Sequence, residues 1–256
     1  MNSWQVLLPT HPFVWPMMFV TLIYGLRYLA MAALAYRVAR PTPQGGWGRP
    51  HRNAPLRFAA RQHIRRELGN SLISLAIFGA VNGVLFGWGL IQHSLVYFRI
   101  SAYPVWWFVL SIPVMVILHD TLFYWLHRAM HTRLLFGLMH KVHHQSTHPT
   151  VFAAYSFHPT EALAEALIVT VIVYVIPAHP LALLIFQTFS TAYNIYGHCG
   201  REFYPVEVAN HPLGRWVNTS TAHAAHHGQG RYNYGFYFMF WDRLMGTTDP
   251  KYGQAS

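Results

Sequence analysis

The chain has 256 residues, 53% of them hydrophobic and only 10% charged, a balance outside the usual range of water-soluble domains and expected of a protein solvated by a bilayer. A single cysteine, Cys199, excludes an internal disulfide and any thiolate-rich zinc or iron–sulfur site. The net charge of +10 comes with eighteen histidines and only eight acidic residues; the basic residues flank apolar runs, which fits membrane topology and contact with anionic lipid and requires no nucleic-acid partner.

From the N-terminus, Pro12 to Tyr36 is apolar apart from Arg27, and Leu68 to Ile91 carries no charge. Each exceeds the roughly 20 residues that cross hydrocarbon. The first lacks the basic n-region and small-residue cleavage site of a secretory signal, so it reads as a retained helix, with Arg27 facing the bundle or snorkelling. Between the two lies a loop rich in Pro and Gly, Arg40 to Pro55. A third apolar run, from Ala102 to about Leu126, leads directly into the first histidines.

Ala166 to Tyr196 is uncharged but too long for one straight span, and Pro177 and Pro180 interrupt it. The expectation is two helices meeting at Pro177-Ala178-His179-Pro180. A hairpin there also keeps the histidines of 140–144 and those of 223–227 on one side of the membrane. Sixteen of the eighteen lysines and arginines fall in 37–66, 128–141 and 199–256, and Arg99 alone falls in the opposite-side segments. By the positive-inside rule the histidines face the cytosol, in a bacterial inner membrane or the endoplasmic reticulum. The expected fold is an all-α integral membrane protein of four to five transmembrane helices with a cytosolic helical cap. Its parts are two N-terminal helices and a basic loop (1–101), a histidine-bearing domain (102–247) and a tail (248–256). This length holds one membrane domain and leaves no space for an attached electron-transfer module, so a reductant is expected from a separate protein.

Fourteen of the histidines lie between His119 and His227. His127 and His131 are one helical turn apart; His140, His143 and His144 form a His-x-x-His-His cluster; His223, His226 and His227 repeat that spacing; His198 closes the hairpin. Residues three and four apart share a helix face, so each cluster is expected to aim two or three imidazoles at one point, and the whole set suits two metals. Lone histidines such as His11, His51, His63, His93 and His179 are read as ordinary solvated or hydrogen-bonded side chains.

No Glu is followed three residues later by His, so the Glu-x-x-His pairs of carboxylate di-iron bundles are absent. The histidine count exceeds what one catalytic zinc needs. Redox iron is the better fit: two irons and O2 can take hydrogen from an unactivated C–H bond, as lipid desaturation and hydroxylation require. A metal transporter is the reading from another class, but it would place its ionisable residues near the bilayer midplane rather than at helix ends. Asp120, Tyr124, His127 and His131 share one helical stripe, so Asp120 is a candidate for orienting a ligand histidine, with a salt bridge to Arg128 as the alternative. Asn194, four residues before His198, either supports or replaces a ligand or simply packs.

At these residues the sequence resembles the fatty acid hydroxylase and sterol desaturase superfamily. The stretches that carry the resemblance are His119 to His131, His140-Lys-Val-His-His144, Phe157-His-Pro159, Gly197-His198, Thr221-Ala-His-Ala-Ala-His-His227, Tyr232-Asn-Tyr-Gly235 and Trp241 to Thr247. They look most like the branch containing lathosterol oxidase, which desaturates ring B of sterols. The resemblance implies two iron ions held by His127, His131, His140, His143, His144, His158, His198, His223, His226 and His227, O2 as co-substrate, a membrane lipid as substrate and a separate electron donor. Asn194-x-x-x-His198 stands where hydroxylases of the superfamily have His-x-x-x-His, which favours desaturation over hydroxylation of an acyl chain, an alkyl glycerol or a sterol methyl group. Gly228 to Arg231 departs from the bulkier residues of that branch.

Overall fold

In the computed structural model, residues 13–39, 48–50 and 61–252 are described. Most of the Arg40–Pro55 loop, His11, His51 and the end of the tail lie outside them. The three long apolar runs become helices: α1 Val14–Ala39, α2 Arg61–Gly87 and α3 Val105–Met130. These three are long and apolar enough to cross a membrane. Helix α2 starts at Arg61, a full two turns before the apolar run at Leu68, because its first turns carry Arg61, Arg65, Arg66 and Glu67. Hydropathy marks where charge ends, not where helical hydrogen bonding begins.

After α3 the chain turns at His131 and Thr132 into a broken helix, formed of α4 Arg133–Leu135, a π-helical turn Phe136–His140 and α5 Lys141–His144. The hairpin follows as expected: α6 Pro159–Val175 and α7 Pro180–Gly197. Each limb opens with proline at its first position, where the missing N–H costs nothing, and with a histidine cap. His158 accepts from the Thr160 N–H and His179 from the Leu181 N–H. At 17 and 18 residues the limbs span about 25–27 Å, shorter than the three long helices. Helix α8 Ser220–Gln229 is capped by Thr219 and stopped by Gly230 in the left-handed conformation; α9 is Phe240–Leu244. A two-residue antiparallel ribbon pairs β1 Arg49–Pro50 with β2 Arg201–Glu202.

Packing follows the small residues. Gly79, Gly83 and Gly87, at four-residue spacing on α2, let α1 approach until a Cβ at Gly79 would collide with Thr21 and lie 2.8 Å from the Met17 carbonyl. Helix α6 packs on α2 and α3, and α7 on α3 and α1. One core joins Met115 and Val116 of α3, Ile168 and Ile172 of α6, and Phe186 of α7; a second joins Tyr28, Ala32 and Leu75 to Ala154 and Ile195. Facing outward are Phe19, Leu22 and Leu26 of α1, Trp106, Val109 and Ile117 of α3, and Leu163, Leu167 and Val171 of α6. Apolar surface this extensive matches hydrocarbon, not water.

Gly79→Val is expected to force α1 from α2 and to lower the yield of folded, detergent-extracted protein. Gly69→Ala, on the same helix with nothing within 4 Å of the added Cβ, is expected to leave that yield unchanged.

Candidate metal centre

Four chain segments end at one place. Helix α3 brings His127 and His131, the broken helix brings His140, His143 and His144, the end of α7 brings His198, and α8 brings His223, His226 and His227. Their ring nitrogens form two groups, each with its members within 4.8 Å of one another: His127, His131, His140, His144 and His226; and His143, His198, His223 and His227. In the first group, Nε2 of His127 and His140 are 3.0 Å apart, and Nε2 of His226 is 3.1 Å from those of His131 and His144. In the second, Nε2 of His198 lies 3.3, 3.1 and 3.2 Å from those of His143, His223 and His227. Nitrogens about 2.1 Å from a shared ion and about 90–105° apart would stand about 3.0–3.3 Å from each other. The residues therefore fit two metal ions.

Each His-x-x-His-His cluster is divided between the groups, whereas the spacing alone suggested a single point per cluster. Residues i and i+4 aim together, so His140 pairs with His144 and His223 with His227. Adjacent residues diverge by about 100° around the helix, which sends His143 and His226 to the other group from their neighbours. The two groups are neighbours: the rings of His144 and His227, one from each, are stacked with centroids 4.9 Å apart.

Four of the opposite ring nitrogens are fixed by the surrounding chain, while Nδ1 of His143 and of His227 is buried without a partner among the described residues. Nδ1–H of His127 donates to the Tyr234 carbonyl at 2.8 Å, that of His226 to Tyr232 at 2.7 Å and that of His198 to Asn194 at 2.7 Å. His140 Nδ1–H donates to Glu161 Oε1 at 2.7 Å. Such contacts set the tautomer that leaves Nε2 free for a metal and raise the ring's basicity as a ligand. Glu161 was not among the residues expected from the sequence. In the first turn of α6, after His158-Pro159, it reads as an acid complementing a helix N-terminus, and only the fold carries it to His140. The π-helical turn ends at His140, a departure from regular helix that often accompanies a functional site.

Burial pushes these histidines toward the neutral form a metal requires, and for all but His144 the neighbouring imidazoles add to it. His131 falls to about 3, His144 to about 4, and His140, His143, His226 and His227 well below their ordinary value; for His131 and His144 the shift is only partly offset by a hydrogen bond to backbone. His198, also buried, falls to about 4.

Four expected site residues sit elsewhere or act differently. His158 is in neither group; it caps α6 and shares a 2.8 Å hydrogen bond with Thr160 Oγ1. Asp120 Oδ1 accepts the N–H groups of Phe236, Tyr237 and Phe238 at 3.1, 2.6 and 3.1 Å, so it pins the segment after α8 instead of orienting a histidine or pairing with Arg128. Tyr124 shares a hydrogen bond with Thr247 and accepts from Arg128. Asn194 holds His198 through its backbone carbonyl, while its side-chain amide donates to the Ala154 carbonyl at 2.6 Å.

Beside the histidines is a small chamber whose lining includes His143, Glu161 and His198. It shares Phe123, Phe157, Asn194 and Phe236 with a larger, mostly apolar cavity of about 340 Å³ that extends among α1, α2, α6 and α7.

Residues 112–247, just over half of the chain, match the fatty acid hydroxylase family. The chain belongs to that family. All nine converging histidines and Glu161 lie inside the matched stretch, whereas α1 and α2 lie before it. The chain is 32% identical to lathosterol oxidase of Mus musculus over 73% of its own length and 62% of that protein's. It is 29% identical to the human lathosterol oxidase over the same shares, and 30% identical to a Delta(7)-sterol 5(6)-desaturase of Aspergillus fumigatus over 73% of this chain and 54% of that one. The matched region thus spans less than two thirds of the length of these relatives. No solved structure matches the chain.

Glu161→Gln is expected to lower metal retention about tenfold, read as metal content after dialysis against chelator, while His158→Ala leaves it unchanged. Stability should also depend on pH. An unfolded histidine takes up its proton near 6.5, but His144 and His198 resist until about 4, so the metal-free fold is fully stable above 6.5 and loses stability as pH falls from 6.5 toward 4. Thermal unfolding of the metal-free protein across that range measures it.

Proposed function

We propose that this chain is an iron-dependent membrane oxidoreductase that desaturates a sterol, with two iron ions held by the two histidine groups and O2 as oxidant. The observation that carries the reading is the pair of neighbouring histidine groups opening beside an apolar cavity. The overall balance is sterol, O2, two electrons and two protons giving the sterol with one new C=C bond and two waters. Iron bound at the histidines would supply the redox chemistry that couples reduction of O2 to hydrogen removal from an unactivated C–H bond. The electrons come from a separate protein, and the histidine end faces the cytosol, as the distribution of lysine and arginine supports.

The chain's own residues do the positioning. The backbone carbonyls of Tyr232, Tyr234 and Asn194 and the Glu161 carboxylate hold four imidazoles rigid, so little reorganisation is needed during turnover. Glu161 joins an imidazole of the first group, His140, at 2.7 Å. Phe123, Phe157 and Phe236, at the junction of chamber and cavity, keep water from the reacting carbon while offering apolar contact to substrate. The names of the similar proteins, sterol desaturases and a lathosterol oxidase, support a sterol.

Hydroxylation is the second reading, favoured by the family's description. The same histidines serve it, and the placement of the C–H bond decides between the two outcomes. Membranes containing the protein, supplied with ferrous iron, O2 and a reducing system, are expected to convert an added Δ7-sterol to a product lighter by two hydrogens by mass spectrometry. A product heavier by one oxygen would establish the hydroxylase instead, and unchanged sterol alongside oxidised acyl chains would displace the sterol reading.

A further inference from the structure

Of the eight acidic residues, Glu207 is exposed and six others have partners. Glu67 binds Thr150, Asp120 binds three backbone N–H groups, and Glu161 binds His140. Glu202 binds Thr221, Asp242 binds Tyr234 and Gly235, and Asp249 binds Gln229. Glu165 differs. Its half-buried carboxyl lines the 340 Å³ cavity and engages no hydrogen-bond donor or cation among the described residues. The rest of the cavity lining is largely apolar, with Val20, Ile23, Leu85, Val169, Val173 and Leu183. The place of a carboxyl without a partner in a largely apolar cavity is accounted for when the ligand brings the partner.

We infer that Glu165 is the residue that binds the hydroxyl group of a sterol in this cavity. The inference rests on the sterol reading above and adds the substrate's orientation to it. A carboxyl oxygen accepts from a hydroxyl, and the lining is otherwise largely apolar, which suits a rigid hydrocarbon with one hydroxyl; His119, whose Nδ1 is also without a partner among the described residues, lines the same cavity. Glu165 follows Glu161 by one helical turn, about 6 Å along α6. Since Glu161 holds His140, the hydroxyl-bearing end of the sterol lies toward the histidines and its alkyl tail runs outward between α1, α2 and α7. The oxidised C–H bond therefore belongs to the rings near the hydroxyl, not to the tail.

The test uses the iron-loaded, full-length protein in detergent and measures binding of a 3-hydroxysterol and its 3-deoxy counterpart by displacement of a labelled sterol, with turnover of both followed separately. The wild-type protein is expected to bind the hydroxysterol about tenfold more tightly. Glu165→Leu should abolish that preference while keeping affinity for the deoxy sterol within about twofold, and Glu165→Gln, which retains an acceptor oxygen, should keep most of it. Iron content equal to wild type certifies that each variant is folded, and Glu165→Ala replaces the leucine variant if that one is not. An equal preference in wild type and Glu165→Leu, or no preference in wild type, overturns the inference. A preference removed by Glu165→Leu with neither sterol oxidised would keep the binding role and sink the desaturase reading, whereas desaturation without any hydroxyl preference would do the reverse.

Discussion

Nine imidazoles can converge on two points inside a protein only if they are neutral and held in place. Protonated rings a few ångströms apart in a dry interior would repel one another and could bind no metal. Burial secures the first condition, pushing His131, His144 and His198 down to about 3 to 4. The second is met for His127, His198 and His226 by chain that has run out of regular structure. The carbonyls of Tyr232 and Tyr234, just past α8, are open to accept because they lie in loop, and that of Asn194, in the last turn of α7, accepts both the backbone N–H and the Nδ1–H of His198. The site thus sits where four segments end, and the long helices below serve to bring those ends together.

That arrangement explains which residues could be read from the sequence. The histidines were legible because their four-residue spacing is local: His140 with His144, and His223 with His227, aim together by helix geometry alone. The hairpin at Pro177-Ala178-His179-Pro180 was legible because proline and length act within a few residues. What escaped depends on contacts across the chain. Glu161 meets His140 across twenty-one positions, and Asp120 meets Tyr237 across more than a hundred, so neither role leaves a local pattern. His158 misled for a related reason: a histidine before proline at a helix start is a cap, but among so many histidines it resembled another ligand. The division of each cluster between two groups also needed the facing helix, since one helix cannot say how many points its side chains are to meet.

The membrane and the site place opposite demands on the same helices. Helix α3 exposes Trp106, Val109 and Ile117 outward yet turns His119, Asp120 and His127 inward, and α6 exposes Leu163, Leu167 and Val171 while directing Glu161 to the histidines and Glu165 to the cavity. Packing reconciles the two. The limbs of the hairpin lean on different neighbours, α6 on α2 and α7 on α1, with α3 beneath both, and the space left among them is the apolar cavity that reaches the histidine chamber at Phe123, Phe157, Asn194 and Phe236. A lipid can enter such a space from hydrocarbon without passing through water.

The central claim is that two metal ions share this site, one in each histidine group. Elemental analysis of the purified protein, loaded with ferrous iron under anaerobic conditions and stripped of loosely bound metal, tests it most directly. The account predicts about two irons per chain. One metal per chain, or none after loading, would contradict it.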